Sequence, residues 1–132
     1  MIQEIMIEGK PIPQKRPEFR RFGKFVTTYD PSSDLKKKFK EQLKLRELVI
    51  MEGAISFVLK CFMPIPASLS EKKKELLDQT AHTQRPDCDN IFKFYSDCLN
   101  EICYKDDSQL SHIEVYKTFD RRPRIEITLT NI

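Results

Sequence analysis

Two pairs of aspartates stand between positions 85 and 107, Asp87 and Asp89 one residue apart and Asp106 and Asp107 adjacent, with Lys93 lying between the pairs. Ionised carboxylates are hard, acceptor-only oxygen donors. Mg2+ takes one or two of them and fills the rest of its shell with water and substrate phosphate oxygens. Asp87, Asp89 and one member of the Asp106/Asp107 pair therefore make a candidate site for one or two ions. Such ions act on phosphate esters by polarising the phosphate and lowering the pKa of an attacking water. Lys93, one helical turn beyond Asp89, could hold the scissile phosphate, position the water or stabilise charge on the leaving oxygen.

Each residue also has a plainer reading. One of Asp87 and Asp89 could cap a helix, which leaves the second acid without a local reason. Lys93 could be an i,i+4 partner of Asp89 and Asp97, worth roughly 0.3–0.5 kcal/mol if exposed. A calcium loop is excluded, because its sixth position would be Phe92 instead of Gly and its twelfth Cys98 instead of Glu.

The elements that must carry these groups follow from periodicity. At about 100° per residue, Asp89, Lys93, Ser96, Asp97 and Asn100 share one helical face. Ile91, Phe92, Phe94, Tyr95, Cys98, Leu99 and Ile102 cover the other, so the helix is pinned and its polar face is expected to point to solvent or a cleft. A helix ending near Ile102 would let the chain return and bring Asp106 or Asp107 beside Asp89. Upstream, Ile2 to Glu8 reads as a strand, and Pro11, Pro13 and Pro17 then forbid a helix and favour an extended arm. Ser33 and Asp34 start a helix to about Val49 with a buried stripe of Leu35, Phe39 and Leu43. Ile55, Phe57, Leu59, Cys61 and Met63 alternate as one face of a strand. Ser68 and Glu71 form a capping box for a helix over 69–78, whose EKKKE run is solvated. Two alternating runs, Ile113 to Phe119 and Ile125 to Leu129, are expected to pair as a terminal antiparallel hairpin across DRRP. The order of elements, without internal repeat, predicts an α+β fold: a mixed sheet packed by helices, in one domain over 1–132 with a basic extended segment at 9–31.

The chain has 132 residues, a hydrophobic fraction of 39% and 33% charged residues, the balance of a single well-solvated core. No apolar run is long enough to cross a bilayer and the N-terminus lacks a secretory pattern, so no membrane partner and a cytoplasmic location are expected. Cys61, Cys88, Cys98 and Cys103 lack the close spacing of a zinc site and read as core or incidental thiols. The net charge of +3 is modest, but it is concentrated. Lys10, Lys15, Arg16, Arg20, Arg21 and Lys24 oppose only Glu18 between Gly9 and Tyr29, and they interleave with Phe19, Phe22 and Phe25. These cations, with Lys36, Lys37 and Lys38, are candidate phosphate contacts for a nucleic acid, and they would offset its repulsion by the acids.

The run Arg85-Pro86-Asp87-Cys88-Asp89-Asn90-Ile91-Phe92-Lys93, followed by Asp97-Cys98-Leu99-Asn100 and by Tyr104-Lys105-Asp106-Asp107-Ser108-Gln109, resembles the pattern of the RusA family of Holliday junction resolvases. The proline-rich basic segment at 9–31 and the strand around Ile125 to Ile127 are also similar to that family. The resemblance implies a homodimer that binds four-way junction DNA, requires Mg2+ (Mn2+ as substitute) and makes paired symmetric nicks leaving 5′-phosphate ends in recombination and repair. It implies catalytic roles for Asp87, Asp89, Asp107 and Lys93, with Asp106 an alternative to Asp107 as ligand. Two other classes stay open from the residues themselves: a metal-dependent phosphoesterase acting on another nucleic acid or nucleotide, and a non-catalytic DNA-binding protein.

Overall fold

The computed structural model describes residues 1–132. Its main sheet has four strands: β1 (Ile2–Glu8), β4 (Ile55–Pro64), β5 (Leu110–Asp120) and β6 (Arg124–Asn131), in the order β1-β6-β4-β5. Strand β6 runs antiparallel to β1 and β4, while β4 and β5 are parallel, so the sheet is mixed. Helices α1 (Ser33–Lys44), α2 (Glu71–Leu77) and α3 (Cys88–Cys98) complete the α+β architecture, and α2 and α3 fall in the crossover from β4 to β5.

The core lies on one face of the sheet. Ile55, Phe57, Leu59, Cys61 and Met63 of β4 are all buried there, meeting Ile125, Ile127 and Leu129 of β6 and the apolar side of α3. Full burial of each large apolar side chain contributes about 1.5–3 kcal/mol, so the β4 alternation and the α3 stripe together set the register of helix on sheet. Burial pushes the thiols of Cys61 and Cys98 up to about 12 and that of Cys103 to about 11, in keeping with inert core positions.

The structure corrects several expectations. Strands β5 and β6 do not form a hairpin, because β4 lies between them and pairs with both. Crossing one intervening strand requires about 10 Å, which Arg121–Pro123 can span when extended. The chain clears β4 because that strand stops at Pro64. Helix α1 ends at Lys44, short of Val49: Leu45 N and Arg46 N donate to the carbonyls three residues back, Gln42 O at 3.3 Å and Leu43 O at 3.0 Å, and beyond that turn the Gln3 side chain holds both backbone groups of Val49, Nε2 donating to its carbonyl at 2.8 Å and Oε1 accepting from its N–H at 2.9 Å. Leu35 faces outward, leaving Phe39 and Leu43 to pack. Helix α2 is capped by Ser70, not Ser68, with the Ser70 hydroxyl accepting from Lys73 N. Finally, the arm carries a two-stranded ribbon, β2 (Glu18–Phe22) and β3 (Phe25–Tyr29), turned by Gly23 at a φ of +59° that favours glycine.

Candidate nucleic-acid processing site

Helix α3 is held from three sides. Its apolar residues Ile91, Phe94, Tyr95 and Cys98 are buried in the core. The Tyr104 hydroxyl donates to Ser96 O at 2.6 Å, fixing the chain after the helix against its last turn. The Tyr95 hydroxyl accepts from Ile12 N at 3.0 Å and the Asn90 carbonyl accepts from Gln14 N at 2.8 Å, which fastens the basic arm along the helix. Helix α3 ends at Cys98 instead of Ile102, although Ile102 still packs in the core. The expected polar face is narrower than its projection: Asp89 and Lys93 are exposed, whereas Ser96 is buried.

At the start of α3, Asp87 occupies the N-cap position with extended backbone, yet its carboxylate makes no capping bond. An exposed carboxylate spared from capping keeps its acceptor capacity for something else. Asp89 is also exposed, with Oδ1 accepting from Asn90 N at 3.0 Å. The segment leading to Asp87 is clamped by Lys117 of β5, whose Nζ donates to the carbonyls of Gln84 at 2.6 Å and Pro86 at 2.8 Å. Nothing in the local sequence pointed to Lys117, which lies far along the chain on another element.

At the far end, Asp106 and Asp107 are separated in role. Asp106 caps the 3-10 turn Asp107–Gln109, its carboxylate accepting from Ser108 N at 3.0 Å, and the Ser108 hydroxyl and N–H hold it below the usual carboxylate range. Asp107 is exposed. Gln109 organises this segment: Oε1 accepts from Lys105 N and Asp106 N, while Nε2 donates to Met51 O at 2.9 Å and Gly53 O at 3.1 Å. Its place in the D-D-x-Q pattern was the only signal of that role.

The donor chemistry at Asp87 and Asp89 fits Mg2+ that keeps most of its shell as water and phosphate oxygen. A closed cage does not form: no three His, Cys, Asp or Glu side chains stand close enough together to hold a metal ion. The expected convergence of both ends of residues 87–107 on one cation is therefore not made by the side-chain positions. One physical reason is that Asp106 is taken by its own turn, and Gln109 ties that turn to the chain just before β4.

The basic residues Lys10, Lys15, Arg16, Arg20, Arg21 and Lys24 are all exposed. Pro13, Gln14 and Arg16 of the arm face Arg85, Pro86, Asp87 and Asn90 across a cleft of about 540 Å3, so cations flank the first acid. Lys36 does not join them. Its ammonium bridges Asp30 at 2.8 Å and Asp97 at 2.9 Å and is largely covered, which removes it from the candidate phosphate contacts and makes it a tie between the arm, α1 and α3. Burial alone would raise Asp30, but hydrogen bonds from Lys36, Ser32 and Gln14 outweigh it and hold the carboxyl below its ordinary range. Lys37 and Lys38 stay exposed.

Comparison with known proteins follows the same residues. The family model described as endodeoxyribonuclease RusA matches residues 8–130. A Bacillus subtilis (strain 168) protein described as uncharacterized protein YqaN is 35% identical over 136 residues, covering 96% of this chain and 94% of its own length. A Lactococcus phage r1t protein named crossover junction endodeoxyribonuclease rusA is 41% identical over 51 residues, 38% of this chain and 39% of its own.

Proposed function

From the premise that the chain belongs to the RusA endodeoxyribonuclease family, we propose that it is a Mg2+-dependent nuclease that resolves four-way DNA junctions by paired nicks. The observation that carries this reading is the seating of the cationic arm against the first turn of α3. The Gln14–Asn90 bond and the shared cleft bring Arg16 and Arg85 around the uncapped Asp87. A phosphodiester drawn in by these cations would lie beside the acids instead of being repelled by them.

Asp87 and Asp89 would hold the cation, with Asp107 the remaining ligand candidate once junction phosphate is present. Mg2+, or Mn2+ in its place, would supply Lewis-acid polarisation of the phosphate and a lowered water pKa. Lys93, exposed on the same face one turn beyond Asp89, would donate to a phosphate oxygen as negative charge builds there. Water adds to phosphorus, the P–O3′ bond breaks, the 3′ oxygen leaves with a proton and a 5′-phosphate end results. Symmetric cuts require two such sites in matched orientation, which a C2 homodimer provides. No helix is long and apolar enough to cross a membrane. A junction nuclease works where the DNA is, and the similarity to proteins of a bacterium and a bacterial phage supports placing the reaction in the cytoplasm.

The test is cleavage of four-way, three-way and linear duplex DNA and of free nucleotides with Mg2+, Mn2+ or EDTA, together with a cruciform plasmid. The expected outcome is metal-dependent cutting of the four-way junction and direct conversion of plasmid to linear product. Cleavage of nucleotides or of every DNA alike would favour a general phosphoesterase. Binding without cleavage under any metal would favour a non-catalytic role.

A further inference from the structure

The β2–β3 ribbon presents large apolar side chains with nothing packed on them: Phe19, Phe22 and Phe25 are 74, 61 and 75% exposed and Val26 is 55% exposed. Every residue of β2 is exposed, so neither face of the ribbon rests on the body of the protein. Contiguous exposed apolar surface of this kind marks an interaction site. The strand register sorts the side chains. Phe22 pairs with Phe25 at the tip, directly before the Gly23–Lys24 link, and shares a face with Arg20; Phe19 lies on the other face with Arg21 and Val26.

We infer that this tip is a base-stacking wedge: Phe22 and Phe25 insert against unpaired or unstacked bases at the branch of a DNA junction while the neighbouring cations hold the flanking phosphates. The proposal rests on the junction-nuclease reading and supplies its selectivity for branched over linear DNA. Three features single out nucleic acid as the occupant. The ribbon's only acid, Glu18, accepts the Tyr29 hydroxyl, and Arg20 stacks over the Tyr29 ring at 4.3 Å, so Arg21 and Lys24 face outward beside the aromatics without a nearby counter-charge. Both faces mix Phe with Arg, whereas a membrane-seated element needs one apolar face. A second copy of the same ribbon would bring like charges together at the apolar contact. Bases alternating with phosphates match the alternation of rings and guanidinium groups, a two-stranded ribbon fits a major groove, and an aromatic wedge gains most where stacking is already broken.

The ribbon is tied down only at its base. Asp30 accepts from Ser32 N at 2.8 Å and from the Gln14 amide at 2.7 Å and is paired with Lys36, which fixes where the tip projects without covering it. Its distance from the core means that changes at the tip leave the fold intact.

The chain contains no tryptophan, so Phe22→Trp places a single fluorescent reporter in the wedge. In EDTA, on uncut DNA, the Trp emission is expected to be quenched by four-way junction and by single-stranded DNA, and far less by linear duplex. 2-Aminopurine at the branch should brighten when wild-type protein binds. The Phe22→Ala/Phe25→Ala protein should bind the junction about ten-fold or more weakly, without brightening the probe and with an unchanged salt slope, because stacking but no charge has been removed. Phe22→Trp should retain binding. An unquenched Trp at saturating junction, or unchanged affinity and probe signal in the double alanine protein, overturns the wedge. So does a blue shift with a gain of Trp emission on anionic phosphatidylserine vesicles, or a change of Trp emission on self-association, in place of the response to DNA. Junction cutting with an unquenched reporter leaves the nuclease reading standing alone, and quenching by single strands in a protein that never cuts junctions leaves the wedge standing alone.

Discussion

At Asp87 the backbone is extended (φ −76°, ψ 152°) and the following residues are helical, which is N-cap geometry without the N-cap bond. That separation of position from bonding distinguishes the acids. Asp106 does make its cap, and Asp107 does not compete for it. We therefore expect Asp87→Asn, Asp89→Asn and Asp107→Asn each to lower junction cleavage by about 100-fold or more while keeping or tightening junction binding in EDTA. Asp106→Ala, which removes the acceptor of the Ser108 N–H, should instead lower the urea midpoint and spare cleavage; gel-based cleavage and urea titration of the four proteins decide this. Lys117 acts through the carbonyls of Gln84 and Pro86, so Lys117→Met is expected to slow single-turnover cleavage about ten-fold or more by loosening the approach to Asp87, with junction affinity unchanged. Equal losses in binding and cleavage would remove its positioning role. The four acids were legible by type and spacing, whereas Lys117 was not, because its hydrogen bonds join segments far apart in the chain.

Between elements, the tie that matters is Lys36 with Asp30 and Asp97, joining the base of the arm to α1 and α3. Removing the ammonium leaves two carboxylates without the cation between them, and Lys36→Met should cost about 1–3 kcal/mol by urea unfolding at neutral pH. The pH dependence has a definite sign. Asp30 is depressed below its ordinary 3.8, so its contribution is complete above that pH and is lost as pH falls through the folded value. Lys36 is raised above 10.5, burial being outweighed by its two acid partners, so its contribution is complete below that pH and is lost as pH rises through the folded value. The gap between wild type and variant should be flat from about pH 5 to 9 and shrink below pH 4. Strand and helix identity was readable from periods of two and 3.6, but Lys36 looked like one of three equivalent lysines until tertiary neighbours separated it.

For the whole molecule, on the proposed nuclease reading, the opposition of an acidic helix start and a cationic arm would govern how DNA is met. Arg20→Ala/Arg21→Ala should weaken junction binding and reduce the slope of log K against log salt by about 0.9 for each phosphate that is no longer neutralised. An unchanged slope would show that the ribbon does not touch phosphate. The amino-acid order alone determined the α+β class, the β4 alternation, the amphipathic α3, the acids around it and the concentration of positive charge, because each is a local pattern set by residue type and spacing. It did not determine which strands are neighbours. The runs at 110–120 and 124–131 look like a hairpin locally, yet β4 lies between them, since a central place in the sheet pairs the backbone groups along both of its edges. The same holds for the tie from Lys36 to Asp97 and for Lys117 reaching back to the carbonyls of Gln84 and Pro86. Those features arise from hydrogen bonds and packing between distant segments, whose energies no local pattern carries.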